Sequence, residues 1–257
     1  MNEVSLKQRI QAGHVAAGTM VFEFFVPGLP QIARSAGADF LLYDMEHSGA
    51  DTETIKAQCA ACAGVGVAPL VRVPGHEYSQ VARALDAGAH GVMVPMVADA
   101  AQAAEIVSFT RYPPRGRRGA AFGLAHDGYS AGTPRDKMAA SEARTLVLAM
   151  IETAEGLANV DAIAAVPGVD VLFLGHFDLT NFLGIPGEFT HPAFESAIRA
   201  IAAAAQRHGK VAATMAGDQA WAERFHAIGY RMFACGLDVH LFQHALAGGI
   251  RAVRALG

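Results

Sequence analysis

Short apolar runs and helix-like stretches alternate along the whole sequence, and this alternation limits the fold more than any other feature. The apolar runs are AAGTMVFEF (16–24), FLLYD (40–44), APLVR (68–72), GVMVP (91–95), LVLAMIE (146–152), VLFLG (171–175), KVAATMA (210–216) and MFACG (232–236). Each has the length of a strand and little polar alternation, as expected of strands buried on both faces. Between them lie segments with helical signals: PGLPQIARSAG (27–37), then 52–63, 78–87, 98–109, 156–165, 192–208, 219–228 and 239–256. The repeats ARSAGADF, ALDAGAHG and FHAIGYRM place a glycine, the expected helix stop, just before a strand. Eight βα units in 257 residues predict an α/β fold, a (β/α)8 barrel forming one domain over 1–257. A doubly wound sheet is the fallback, but it has no topological reason to stop at eight units.

Hydrophobic residues make up 52% of the chain and charged residues 17%. A large core is easily built, and apolar surface remains for a homo-oligomer interface. The net charge of −4 argues against nucleic acid as a partner. No apolar run approaches the roughly 20 residues that span a bilayer, so no membrane association is expected. The segment MNEVSLKQRIQAGH reads as an amphipathic helix rather than a signal peptide, which makes a cytoplasmic location the expectation.

Four strands end on a charge. FLLYD closes on Asp44, with Glu46 and His47 just behind; APLVR closes on Arg72; LVLAMIE closes on Glu152; VLFLG is followed, after a tight turn, by Asp178. In parallel α/β folds the C-terminal strand ends share one face, where chemistry is done. Glu152 and Asp178 each read singly as a capping acid. On neighbouring strands about 4.8 Å apart, together, they suit a hard cation completed by water and substrate oxygens. His47 is suited to moving protons near neutral pH, or is a loop histidine capping the next helix. Asp86 orients His47, or is an ordinary helix-terminal acid. Arg72 grips a carboxylate or oxyanion, pairs with Asp44 or Glu46, or does both.

Residues 113–145 carry no strong strand signal. They hold Arg115, Arg117 and Arg118 just after Arg111, the Gly-rich stretch RGAAFGLAHDGYSAG, and a short helix with Pro134 in its first turn. A connection this long is usually functional. It is expected to leave the fourth strand on the active-site side and act as a lid, its arginines binding an anion or anchoring the loop. The three cysteines are too few for a disulfide framework, and Cys59-x-x-Cys62 lies deep in a helix, as a packing pair. His240 and His244 lack the glutamate of a metalloprotease motif and suit an exposed face or a subunit contact.

Taken together, YDMEH (43–47), PLVRVP (69–74), LDAGAHGVMVP (85–95), RYPPRGRRG (111–119), MIETAEGL (150–157) and GHFDLTNFLG (175–184) resemble the HpcH/HpaI aldolase family, in order and across residues 18–255. The last stretch is also similar to macrophomate synthase, a decarboxylating relative. The resemblance implies a metal-dependent class II pyruvate aldolase on a (β/α)8 barrel, using Mg2+, Mn2+ or Co2+, with pyruvate and an aldehyde as substrates. It implies Glu152 and Asp178 as metal ligands, Arg72 as the residue stabilising the enolate oxygen, His47 as base with Asp86 as its partner, Asp44 near the metal's waters, and backbone amides at Phe177 and Asp178 for the pyruvate carboxylate. It further implies a hexamer, a trimer of dimers, with the last helix swapped between neighbours. The sequence departs from the family at Met150, where glutamine is usual, at His176 in the turn before Asp178, and at His126, where the family often has arginine. Oxaloacetate decarboxylation through the same enolate is the alternative within enzymes. A non-catalytic metabolite-binding barrel is the alternative outside them.

Overall fold

In the computed structural model, which describes residues 4–256, the eight apolar runs form eight parallel strands closed into a barrel in sequence order. They are β1 (Ala16–Val21), β2 (Phe40–Asp44), β3 (Ala68–Arg72), β4 (Gly91–Val94), β5 (Leu146–Ile151), β6 (Val171–Leu174), β7 (Val211–Met215) and β8 (Tyr230–Leu237). The helices are α1 (Leu6–Gln11), α2 (Leu29–Ser35), α3 (Thr52–Cys62), α4 (Tyr78–Asp86), α5 (Ala100–Thr110), α6 (Pro134–Arg144), α7 (Ala154–Ala158), α8 (Val160–Ala165), α9 (His176–Phe182), α10 (Pro192–Arg207), α11 (Gln219–Ala227) and α12 (Asp238–Arg254). The expected stops after α2, α4 and α11 are present: Gly37, Gly88 and Gly229 all take positive φ. Ser5 caps α1 with a capping box, and residues 1–3 of the expected first helix lie outside the described residues.

Successive side chains on a strand point to opposite faces, and this fixes what lies inside the barrel. Phe40, Leu42, Leu70, Leu148, Met150 and Phe173 pack together in its interior. Their neighbours Leu41, Tyr43, Val71, Val147, Ala149 and Leu172 pack outward against the helices. The alternation carries the next inward positions, Asp44, Arg72 and Glu152, to the top of the interior at the C-terminal end. Asp44 and Arg72 are register partners on adjacent strands.

Three boundaries differ from expectation. β1 ends at Val21 rather than 24, because the amides of Phe22, Glu23 and Phe24 turn away to the carboxylate of Asp238 at 2.8–3.1 Å. The expected helix over 156–165 is two short helices broken at Asn159. The turn after β6 is the start of α9, so Asp178 lies in the first turn of a short helix.

The 113–145 segment is not a lid over the strand ends of its own barrel. α5 returns the chain to the N-terminal face before the segment begins, so it is a helix-to-strand connection on the opposite side. There Lys7 donates to the carbonyl of Thr145 (2.9 Å) and α6 packs on α1. The arginines anchor this loop: Arg118 pairs with Asp86 (2.6 Å), Arg117 with Glu105 (2.5 Å), Arg115 with Glu142, and Arg111 lies 3.9 Å from Asp170. Cys59 and Cys62 are buried on α3, their thiols pushed up by burial, with Cys62 Sγ 3.5 Å from the Tyr43 hydroxyl. They are packing groups, as expected. No helix among the described residues is long and apolar enough to cross a membrane.

Two stability outcomes follow. Asp238 is buried and also accepts the amide of Val239 in the first turn of α12 at 2.8 Å. Asp238→Ala leaves these amides without their acceptor and should lower stability in urea by about 2–4 kcal/mol. His90, at the foot of β4, is held down to about 4 by burial first and then by the Arg144 guanidinium. The folded chain therefore binds fewer protons here than the unfolded chain, whose histidine titrates near 6.5. This contribution is fully present above pH 6.5 and is lost as pH falls towards 4. His90→Gln should flatten the fall of the urea midpoint across that window.

Candidate active site

The C-terminal mouth of the barrel is organised around Arg72. Its side chain is buried at the end of β3, with Nε 2.5 Å from Asp44 Oδ1 and Nη1 3.1 Å from Glu46 Oε2. Both pairings raised from the sequence are present. Asp44 is fully buried, and it also accepts the amides of Glu46 (3.2 Å) and His47 (2.8 Å). It thus shapes the turn after β2 and fixes the guanidinium at once. The Phe22 ring lies 5.4 Å from Cζ of Arg72. Arg72 Nη2 is buried without a hydrogen-bond partner. A buried cationic donor left unpaired is costly unless something occupies the space before it.

Glu152 stands one residue past β5 and is buried. Its Oε1 accepts the amide of Met96 at 2.7 Å. Met96 follows β4 with a φ of 57°, a left-handed backbone that a methionine adopts only where its surroundings hold it. The other carboxylate oxygen faces Gly175, at the corresponding inward position past β6. A Cβ on Gly175 would press on Glu152 Oε2 and lie 2.7 Å from Glu152 Cβ and 2.8 Å from Met150 Cε. Only glycine leaves room for the carboxylate.

Burial raises Glu152 to about 7; the Glu46 and Asp178 carboxylates add to this, while the Met96 amide and Arg72 oppose it. Glu46 is raised too, by burial first, with Asp44 and Asp178 adding and Arg72 and His47 opposing. Glu46, Glu152 and Asp178 thus form one field of negative charge around a single guanidinium. The donor set is oxygen only, as hard cations prefer. Among the described residues no group of three or more His, Cys, Asp or Glu side chains is arranged to hold a metal ion. Any ion held here by Glu152 and Asp178 would have to take its remaining oxygens from water and substrate.

His47 lies on the same face, exposed, with Nε2 3.7 Å from Glu46 Oε2. Phe177 is exposed beside Asp178, and the first helical bond of α9 is from Leu179 to Gly175, so the amides of Phe177 and Asp178 have no acceptor within the helix. Asp86 is not brought to His47 within the chain. α4 runs antiparallel to the strands, so its last residue emerges at the N-terminal face, where Asp86 pairs with Arg118. Met96 and Gly175 were missed from the sequence. Gly175 left a signal, a glycine one step beyond an apolar strand; Met96 left none, because its part is played by a backbone amide.

Gly175→Ala should displace Glu152 and cost roughly 1–3 kcal/mol in urea denaturation, the usual range for overpacking. Gly49→Ala, whose added Cβ meets nothing, is the control and should stay within about 0.5 kcal/mol.

Residues 23–245 match the HpcH/HpaI aldolase/citrate lyase family. The chain is 38% identical over 215 residues to the hydroxypyruvate/pyruvate aldolase of Chromohalobacter salexigens, covering 84% of each chain. It is 40% identical over 210 residues to the 5-keto-4-deoxy-D-glucarate aldolase of Klebsiella pneumoniae, covering 82% of this chain and 81% of that one. The crystal structure of an HpcH/HpaI aldolase from Desulfitobacterium hafniense superposes with a TM-score of 0.92 at 30% identity, over 98% of this chain and 97% of the other. The match spans every strand that contributes to the mouth from β2 to β6, and on it the chain belongs to the HpcH/HpaI aldolase/citrate lyase family and is an aldolase of the lyase class.

Proposed function

We propose that the chain is a divalent-metal-dependent pyruvate aldolase, which cleaves 4-hydroxy-2-oxo acids to pyruvate and an aldehyde and runs the reverse addition. The observation that carries this reading is the free Nη2 of buried Arg72, held beside Glu152. A fixed guanidinium donor is what an enolate oxygen needs as charge develops on it. The names of two relatives, a hydroxypyruvate/pyruvate aldolase and a keto-deoxy-glucarate aldolase, agree with this chemistry.

Glu152 and Asp178 would hold the ion, and when bound it supplies Lewis-acid stabilisation of the developing enolate. Arg72 donates to the enolate oxygen, and Asp44 and Glu46 keep its fork aimed. The amides of Phe177 and Asp178 receive the pyruvate carboxylate. His47, exposed and 3.7 Å from Glu46 Oε2, takes a proton from the pyruvate methyl in the synthetic direction and returns it to the new 4-hydroxyl oxygen. In cleavage it takes the 4-hydroxyl proton as the C3–C4 bond breaks, the electron pair of that bond becomes the enolate, and the protonated His47 returns the proton to C3 to give pyruvate. The 4-hydroxyl carbon leaves as the aldehyde. Asp86 has no part in this proton path within one chain.

The final helix exposes Leu241, Phe242, Leu246 and Ile250. Phe242, Leu246 and Ile250 recur at four-residue spacing as one apolar stripe, in which Phe242 meets the Phe24 ring edge-on at 5.7 Å while all three stay exposed. The stripe supports a homo-oligomer built on α12.

Chelation should abolish retro-aldol turnover, and Mg2+ or Mn2+ should restore it. Glu152→Gln should lose activity whatever metal is supplied. Arg72→Lys should lower kcat by roughly 10²–10³, the range for removing one oxyanion donor, and should slow deuterium exchange at the pyruvate methyl in parallel. Full turnover after rigorous metal stripping would sink the proposal in favour of a Schiff-base lysine. Separate assays with oxaloacetate and a panel of aldehydes, compared by kcat/KM, distinguish aldol from decarboxylation chemistry.

A further inference from the structure

The N-terminal face of the barrel, away from Arg72 and Glu152, carries a cavity of about 750 Å3. It lies beneath the starts of β2, β3 and β4, walled by α1, the ends of α3 and α4, and the turn at 125–129. A void of this size holds a small metabolite. Its charged lining is Arg9, Arg34, Arg144 and Asp39, three guanidinium groups against one carboxylate, with the imidazole rings of His90 and His126 beside them.

That acid is already committed. Asp39 accepts the amide of Ala17 at 2.9 Å and pairs with Arg9 at 2.7 Å and with His14 at 3.5 Å. Arg34 and Arg144 form no ion pair among the described residues. One nitrogen of Arg144 donates to the His126 carbonyl, while its Nε is buried without a partner. His126 is 3% exposed, and neither of its ring nitrogens has a partner. In either neutral tautomer it has an N–H donor to offer. Lys137, the nearby cation, is spent on Asp127 at 2.7 Å. Burial first, and then neighbouring cations, keep both His90 and His126 low. The walls formed by Cys59, Cys62 and Ala63 are apolar and bring no counter-charge.

The Asp127 carboxylate lies near Arg144 and His126, but it pairs with Lys137 and is not among the residues that line the cavity. Buried donors without acceptors, set beside guanidinium groups without an ion pair, suit an oxyanion. We infer that this cavity is a binding site for a small oxyanion-bearing metabolite, a phosphate or a carboxylate, held by Arg34, Arg144 and the ring of His126. The inference does not rest on the aldolase reading, because the catalytic groups stand at the other end of the barrel.

The test is calorimetric titration of the full, chelator-treated protein with inorganic phosphate and, separately, with citrate. Saturable binding of at least one anion is expected, with a matching rise in Tm; the tighter of the two tells phosphate from carboxylate chemistry. Arg144→Gln and Arg34→Gln should each weaken it by about tenfold, the loss of a charge-assisted pair, while Arg72→Gln should leave it intact. Arg34 is exposed, so its variant keeps the test valid if Arg144→Gln fails to fold. Absence of saturable binding to the wild-type chain would overturn the inference, as would binding unchanged in the folded Arg34 and Arg144 variants or abolished in folded Arg72→Gln.

Discussion

The buried pair between Arg72 and Asp44 is the interaction on which the barrel mouth depends. Taking two charges out of water is costly unless the remaining hydrogen-bonding capacity is also met. Asp44 meets it, with Arg72 Nε on one oxygen and the turn amides of Glu46 and His47 shared between both. One carboxylate therefore sets the guanidinium, the turn after β2 and the position of His47. Arg72 is held on two nitrogens and left open on the third. An arginine held in this way loses little further freedom when it meets an anion, which is the condition for stabilising charge that forms during a reaction.

The opposite wall is built on backbone rather than charge. Glu152 is held by the amide of Met96, and its second oxygen occupies the space that Gly175 leaves by having no side chain. Burial and the neighbouring acids make its ionised form expensive, up to about 7. A divalent cation held with Asp178 would relieve that expense. The two ends of the barrel thus carry complementary imbalances, excess acid around Arg72 and, in the cavity beneath the strands, guanidinium groups of Arg34 and Arg144 without an ion pair.

Much of this was legible in the sequence, for a definite reason. A strand buried on both faces has a strict period of two, so a charge that ends the run must either join the interior or leave the strand. Asp44, Arg72 and Glu152 could be placed at one mouth without coordinates. Residues whose place depends on where a helix ends were harder. The 113–145 segment is expected as a lid and Asp86 either as a partner of His47 or as a helix-terminal acid; α4 and α5 deliver both to the other side, where Asp86 is the helix-terminal acid. The direction of a helix in a βα unit decides this, and composition carries no trace of it. Asp238 left no signal in the sequence, because its amide partners at 22–24 lie more than two hundred positions away.

By itself the sequence determined the barrel, the order of its strands and the inward charges at their ends, because hydrophobic period and glycine stops are local properties that neighbouring residues enforce. Only the tertiary structure decided which nitrogen of Arg72 stays open, that Gly175 makes room for Glu152, that Met96 offers an amide, and that the arginine-rich loop closes the far face. Each of those depends on atoms from segments distant in the chain meeting within a few ångströms, and closure of the barrel is what brings them together.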